Sequence, residues 1–209
     1  QAGAQVNTLP VGQGSNAEPK IVIAPGQAGV GISSDSEIVW RGFVFQVPLS
    51  LGKAGGLCCG SPNGGGRYEI MGNFFGLEAD GTTPMASPPG ILLSDSTSNG
   101  NIDGVRIGSA NPADMNVIGV AIPAGSGIEC MRLSGTNHVV HGNLIGSDRS
   151  GLVARGCTTG ILMVGPRGVD IGGPDAGQGN LIVGHRDRAI GYQGGSNTEL
   201  GGRIRGNRF

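Results

Sequence analysis

Apolar residues along this chain come in short bursts separated by turn-forming residues. The series runs "KIVIA", "SEIVWRGFVF", "YEIMGNFFG", "GILLSD", "GVRIG", "NVIGV", "NHVVHGNLIG", "GVDIG", "NLIVG" and "TELGGRIRGN". Each burst is rich in β-branched residues and bounded by Gly, Asn, Asp or Pro, which is the pattern of a short strand. No stretch carries a helical period with caps, and glycine is too frequent for one to survive. Every uninterrupted apolar run is only a few residues long, so the pattern predicts no transmembrane helix.

The bursts repeat on a larger scale. "GNFFGLEADG" (72–81) returns as "GNLIGSDRSG" (142–151), and "GILL" (90–93) returns as "GILM" (160–163), both at an offset of 70. The offset then slips to 64: "GVRIG" (104–108) falls on "GVDIG" (168–172), "NVIGV" (116–120) on "NLIVG" (180–184), and "HGN" (141–143) on "RGN" (205–207). Strands at a recurring period with turns between them predict a solenoid, in which each coil buries its face against the next. Glycine and asparagine at matching positions predict stacked corners, where a positive φ or a side-chain hydrogen-bond ladder is required.

"GNFFGLEADGTTPMASPPGILL" and "GNLIGSDRSGLVARGCTTGILM" resemble the repeat phrase of right-handed parallel β-helix proteins of bacterial surfaces. "VDIGGPDAGQGNLIVGH" resembles the alternate phrase of the same group. The resemblance covers roughly residues 36–209. It implies an all-β fold, a right-handed parallel β-helix of several coils. It says little about activity, because that architecture hosts lyases, hydrolases, epimerases, adhesins and passive stalks.

Composition agrees with a fold of many turns. Glycine accounts for 43 of 209 residues, with no collagen period, while 37% of the chain is hydrophobic, more than a flexible linker carries. Residues 1–20 are polar and punctuated by Pro and Gly, an N-terminal arm or cap, leaving 21–209 as the β-helix domain. The net charge of −1 gives no reason to expect nucleic acid as a partner. Charge is nevertheless uneven. Residues 68–148 hold eight acids against Arg106 and Arg132, whereas residues 149–209 hold eight arginines against four acids. The start "QAGAQV" reads as a mature chain after processing, so the expected location is extracellular or cell-surface. Cys58, Cys59, Cys130 and Cys157 allow three pairings, with the adjacent Cys58–Cys59 pair strained; disulfides and buried thiols both remain open.

Candidate chemistry is thin. Polysaccharide lyases and hydrolases of this architecture use clustered carboxylates, sometimes with calcium, and Glu78, Asp80 and Asp148 are the only candidates for that role. Glu78 aligns with Asp148, about 10 Å away if one coil intervenes at ~4.8 Å per coil. The plainer expectation is that each stabilises its own turn. His138, His141 and His185 do not form an evident metal set, since residues three apart on a strand point to opposite faces. "GPDAGQGN" (173–180) has the glycine spacing of a phosphate loop but lacks the lysine, the Ser/Thr and the helix. Trp40, Phe43 and Phe45 read as core, with Trp40 on the face opposite the other two.

The chain closes on "GRIRGNRF", partway through the repeat phrase. A solenoid end exposes unpaired strand edges and core side chains unless something covers it. Arg203, Arg205, Arg208 and Phe209 are therefore the candidate assembly residues. The first expectation is a secreted or surface structural subunit that self-assembles end to end or adheres, without a cofactor or membrane insertion. The alternative is a carbohydrate-active enzyme using the loop carboxylates, with a polysaccharide or the cell surface as partner.

Overall fold

The computed structural model describes residues 2–24, 38–47, 49–52, 68–85, 91–94, 103–120, 127–194 and 201–209. Cys58 and Cys59 lie outside these residues. The apolar bursts form strands, numbered β1 to β17 in chain order, that assemble into three parallel sheets. The first sheet holds β2 (Ile38–Arg41), β5 (Tyr68–Met71), β8 (Arg106–Ile107), β11 (Val139–Val140), β14 (Asp170–Ile171) and β17 (Arg203–Ile204). The second holds β1 (Ile21–Ile23), β3 (Phe43–Phe45), β6 (Phe74–Phe75), β9 (Val117–Ile118), β12 (Leu144–Ile145) and β15 (Leu181–Ile182). The third holds β4 (Leu49–Gly52), β7 (Ile91–Ser94), β10 (Glu129–Leu133), β13 (Thr159–Val164) and β16 (Arg188–Gln193). From β2 onward the chain visits the sheets in that order and then repeats the circuit. The fold is all-β, a parallel β-solenoid. Among the described residues the only helical segment is a single 3-10 turn, Pro112–Asp114.

Register carries like onto like. Ile70, Ile107, Val140 and Ile171 stack in one inward column, and Phe45, Phe75, Ile118, Ile145 and Ile182 in another. Ile91, Met131, Ile161 and Ile190 form the third. Phe45 lies flat on Phe75, with ring centroids 4.7 Å apart. Burying such columns removes a continuous apolar core from water, the main driving force for the fold.

From β3 to β15 the second sheet is largely buried on both faces, which is why these strands read FVF, FF, VI, LI and LI without alternation, whereas Ile21 and Val22 of β1 are exposed. Its outward residues Val44, Phe74, Val117, Leu144 and Leu181 form a separate cluster with Leu77 and Met115. Residues 2–20 supply part of the cover through Ala17 and Val11. This arm folds back on itself where Gln5 and Glu18 exchange backbone hydrogen bonds of 3.2 and 2.9 Å. It is pinned by the buried Asn7, which donates to Leu9 O and Pro112 O at 2.7 and 3.0 Å. The Ser15 amide adds a bond to Arg149 O at 2.5 Å.

The Trp40 expectation is corrected. β2 ends at Arg41 and the chain turns at Gly42, φ 74°, so alternation along one strand does not apply. The corner brings Trp40 to Phe43 and Phe45, at 5.6 and 5.8 Å between centroids.

Candidate functional site

The repeated Gly-Asn phrase builds the corner between the first and second sheets. Asn73, Asn116, Asn143, Asn180 and Asn207 stack there, separated in turn by 43, 27, 37 and 27 residues. Each rung uses the same bonds. The Oδ1 of one asparagine accepts both the backbone N–H and the Nδ2–H of the asparagine one coil earlier. Its own Nδ2 donates to a backbone carbonyl of that earlier coil. For Asn143, Oδ1 accepts Asn116 N and Nδ2 at 3.3 and 2.9 Å, while Nδ2 donates to Ile107 O at 2.9 Å. Gly142 turns this corner at φ 65°, and a Cβ there would run into the carbonyls of Ser109 and Gly177.

The ladder is directional. At its N-terminal end the rung above Asn73 is Phe43, whose N–H donates to Asn73 Oδ1 at 3.0 Å. Above Phe43 in register comes Ile21. At its C-terminal end, Asn207 Oδ1 accepts from Asn180 N and Nδ2 at 3.0 and 2.8 Å, and its Nδ2 donates to Ile171 O at 2.9 Å. No described residue accepts the Asn207 N–H or its second Nδ2–H.

The three candidate carboxylates each serve their own surroundings. Asp80 accepts from the Thr82 and Thr83 amides at 2.8 and 2.9 Å and from Thr83 Oγ1 at 2.6 Å. Hydrogen bonding from Thr83 dominates and lowers its pKa to about 2. Asp148 is buried and accepts from Ser150 N and Oγ at 3.0 and 2.5 Å. Glu78 accepts from Gln46 Nε2 at 2.8 Å. The two loops are the same hairpin: Glu78 N bonds Thr83 O and Asp148 N bonds Val153 O, at 2.8 and 3.0 Å. They also touch. Arg149 N donates to Gly81 O at 2.8 Å, its Nη1 to Asp80 O at 3.2 Å and its Nε to Ser15 O at 2.9 Å. Arg149 thus ties the two loops and the N-terminal arm into one flank.

The histidines are built into corners. His138 is buried, its Nδ1 accepting from Val105 N at 3.3 Å and its Nε2 lying 2.9 Å from Ser134 O, an arrangement that requires the neutral Nε2–H tautomer. Burial lowers its pKa below the usual 6.5. His185 Nδ1 accepts from Cys157 N at 3.3 Å, and burial lowers its pKa as well. His141 stands at another corner, on the strand end facing Asp170, Arg106 and Arg205, with burial again lowering its pKa. Among the described residues no group of three or more His, Cys, Asp or Glu side chains is arranged to hold a metal ion. The "GPDAGQGN" stretch is a closed turn in which Asp175 and Gln178 bond each other, Asp175 N to Oε1 at 3.2 Å and Nε2 to Asp175 Oδ2 at 3.0 Å.

Cys130 and Cys157 form a disulfide between neighbouring coils, buried at both sulfurs' residues, with Cα atoms 5.4 Å apart. Neither spacing nor motif in the sequence singles out this pair; only coil register does.

Along β16, β17 and residues 208–209, positions in register with inward columns are exposed. Ile204 continues the column of Ile171 and Tyr192 that of Met163. Arg208 bridges Leu181, so Phe209 falls on the column of Ile182. Ile204 is 49% exposed, Tyr192 41% and Phe209 71%. Of the arginines, Arg203 lies in register over Asp170, as Arg106 lies over Glu69. Its charge therefore has a neighbour within the chain. Arg205 and Arg208 are exposed beside it. The sequence pointed to the arginines and Phe209. It did not point to Ile204, Tyr192 or Asn207, because an inward position is recognisable only once the coil register is known. At the opposite end, Ile23, Ile38, Trp40 and Phe43 are partly buried against the core.

Comparison with protein-family models, curated proteins and solved structures finds no match.

Proposed function

We propose that this chain is a structural β-solenoid of an extracellular or cell-surface setting that works by coil-on-coil stacking at its C-terminal end. The observation that supports this reading is the exposure of the apolar Ile204, in register with the inward Ile171, and of Phe209, which follows the bridge of Arg208 to Leu181. Exposed apolar cross-section beside unpaired strand edges is the usual signature of an interaction surface. The buried Cys130–Cys157 bridge supports an oxidising compartment. The carboxylates argue against the carbohydrate-active alternative, since Asp80 and Asp148 stabilise their own turns and Glu78 is held by Gln46.

A second copy is the first partner to test, by sedimentation and light scattering across concentration, alone and with single-coil peptides of this repeat. Association that Ile204→Asp abolishes is the expected result. Ile204 is exposed enough for that variant to fold. Loss of the reading requires that neither copies nor coils associate with the wild-type end.

A further inference from the structure

We infer that the corner between the second and third sheets, where β12 leads into β13 and β15 into β16, binds a monovalent anion of chloride size. Among the described residues three buried side-chain nitrogen or oxygen atoms make no hydrogen bond: Ser147 Oγ, Arg155 Nε and His185 Nε2. All three belong to this one corner. By contrast the equally buried Asn116, Asn143 and His138 are bonded. A buried polar group without a protein partner is rare, and a bound ion or water is a usual reason for one.

The hairpin of residues 146–155 sets these groups side by side. Arg155 N donates to Gly146 O at 2.8 Å and Ser147 bridges Ala154, so both residues stand at the hairpin base. The turn of Gly184 and His185, one coil on, stacks against that base. A Cβ on Gly184 would stand 2.8 Å from Gly146 O, and one on Gly146 would stand 2.7 Å from His185 Nε2. Gly119, one coil before, packs on the other side, where a Cβ would stand 2.6 Å from Ser147 O and 3.0 Å from Arg155 Cβ. The corner therefore lies between three consecutive coils.

The three atoms agree in chemistry. Arg155 Nε is a donor only. His185 Nδ1 accepts from Cys157 N at 3.3 Å, so its Nε2 carries the hydrogen and is a donor too. Ile145 O lies toward that hydrogen, but it already accepts from Val183 N at 2.9 Å. Ser147 is fully buried, and its hydroxyl is free to donate. Arg155 is also a permanent cation, and among the described residues it makes no ion pair. Asp148, the acid within the hairpin, is held by Ser150 N and Oγ instead. A desolvated guanidinium without a counter-charge is costly. A water would supply an acceptor and no charge, whereas an anion supplies both. The close glycine contacts favour a monatomic ion over a sulfate or phosphate group.

Chloride and bromide are the probes. The protein is dialysed into sodium gluconate, and urea midpoints are followed as halide replaces gluconate at constant ionic strength. Binding to the folded state should raise the midpoint along a saturating curve. The folded state should gain about a hundredfold when the halide stands at one hundred times its dissociation constant. Arg155→Met keeps the aliphatic stem without the charge or the donors, and should abolish the halide response. Ser147→Ala should weaken halide binding about two- to tenfold. Crystals grown in bromide should show an anomalous peak in contact with Arg155 Nε.

A midpoint indifferent to halide overturns the inference. So does a response that wild type, Arg155→Met and Ser147→Ala share, since that is a general salt effect. Density at the corner without anomalous signal means an ordered water only, and overturns it as well. Should Arg155→Met fail to fold, the Ser147→Ala response and the bromide peak decide the question.

Discussion

Replacing Asn143 by alanine removes the middle rung of the corner ladder, and the structure sets the size of the effect. Asn143 is fully buried. Its Oδ1 is the acceptor for Asn116 N–H and for one Asn116 Nδ2–H, both inside the protein. Ile107 O loses the Asn143 Nδ2 bond but keeps its bond from His141 N, and Asn180 Oδ1 keeps the bond from residue 143's own amide. Two buried donors are therefore orphaned, at about 1–3 kcal/mol each, which gives a loss of about 2–6 kcal/mol. Asn207→Ala is the matched control. It also strips two donors, Asn180 N and Nδ2, of their acceptor, but Asn207 is half-buried where Asn143 is fully buried, so water reaches the vacated site and the loss should be about 1 kcal/mol. Equilibrium urea unfolding followed by circular dichroism reads the difference as a shift in midpoint at constant slope. The reasoning is refuted if Asn143→Ala costs less than about 1 kcal/mol, or if the two substitutions cost the same.

Three further outcomes follow from particular contacts. Gly146 turns at φ 86° with Val183 O and the His185 ring where a Cβ would sit, so Gly146→Ala should cost about 2 kcal/mol or more or prevent folding, read from the same unfolding curves. Replacing Cys130 and Cys157 together by alanine should lower stability by about 3–4 kcal/mol for a crosslink spanning 27 residues, and wild-type protein should resist dithiothreitol until it unfolds. The pKa of His138 is lower folded than unfolded, so its contribution is fully present above pH 6.5 and is lost as pH falls below that value. Asp80, at about 2 folded against 3.8 unfolded, loses its contribution only as pH falls between those values. Urea midpoints from pH 7 to pH 2 should therefore show a step in each window, and Asp80→Asn should flatten the lower one alone.

Much of the architecture could be read from residue pattern because the solenoid repeats its corners. Gly142 and Gly72 recur because the same positive-φ turn is made again, and the glycine is needed each time. What spacing concealed was the number of coils per repeat. The intervals 43, 27, 37 and 27 alternate, so the offsets of 64 and 70 each span two coils. Asn116, preceded by Met115 rather than glycine, did not announce itself as a rung between Asn73 and Asn143. The arm shows the same limit. Residues 2–20 have the composition of a tail, and only the double burial of strands such as Phe74–Phe75 and Leu144–Ile145 hints that something covers the second sheet's outer face. The Cys130–Cys157 pair and the emergence of Ile204 and Tyr192 depend on register between coils, which local sequence does not encode. Asp80 and Asp148 were legible as turn residues, since an Asp near a glycine turn most often bonds the amides just ahead of it, whereas Glu78 departs from that expectation by accepting from Gln46, 32 residues earlier.

Amide hydrogen exchange at Asn73, Asn116, Asn143 and Asn180 tests the central claim, a parallel solenoid locked by one corner ladder, most directly. Each of these amides donates to the asparagine one coil on, so all four should be strongly protected and should open together, near the free energy of global unfolding. Exchange at Asn116 or Asn143 close to the rate of an unstructured chain would contradict the account.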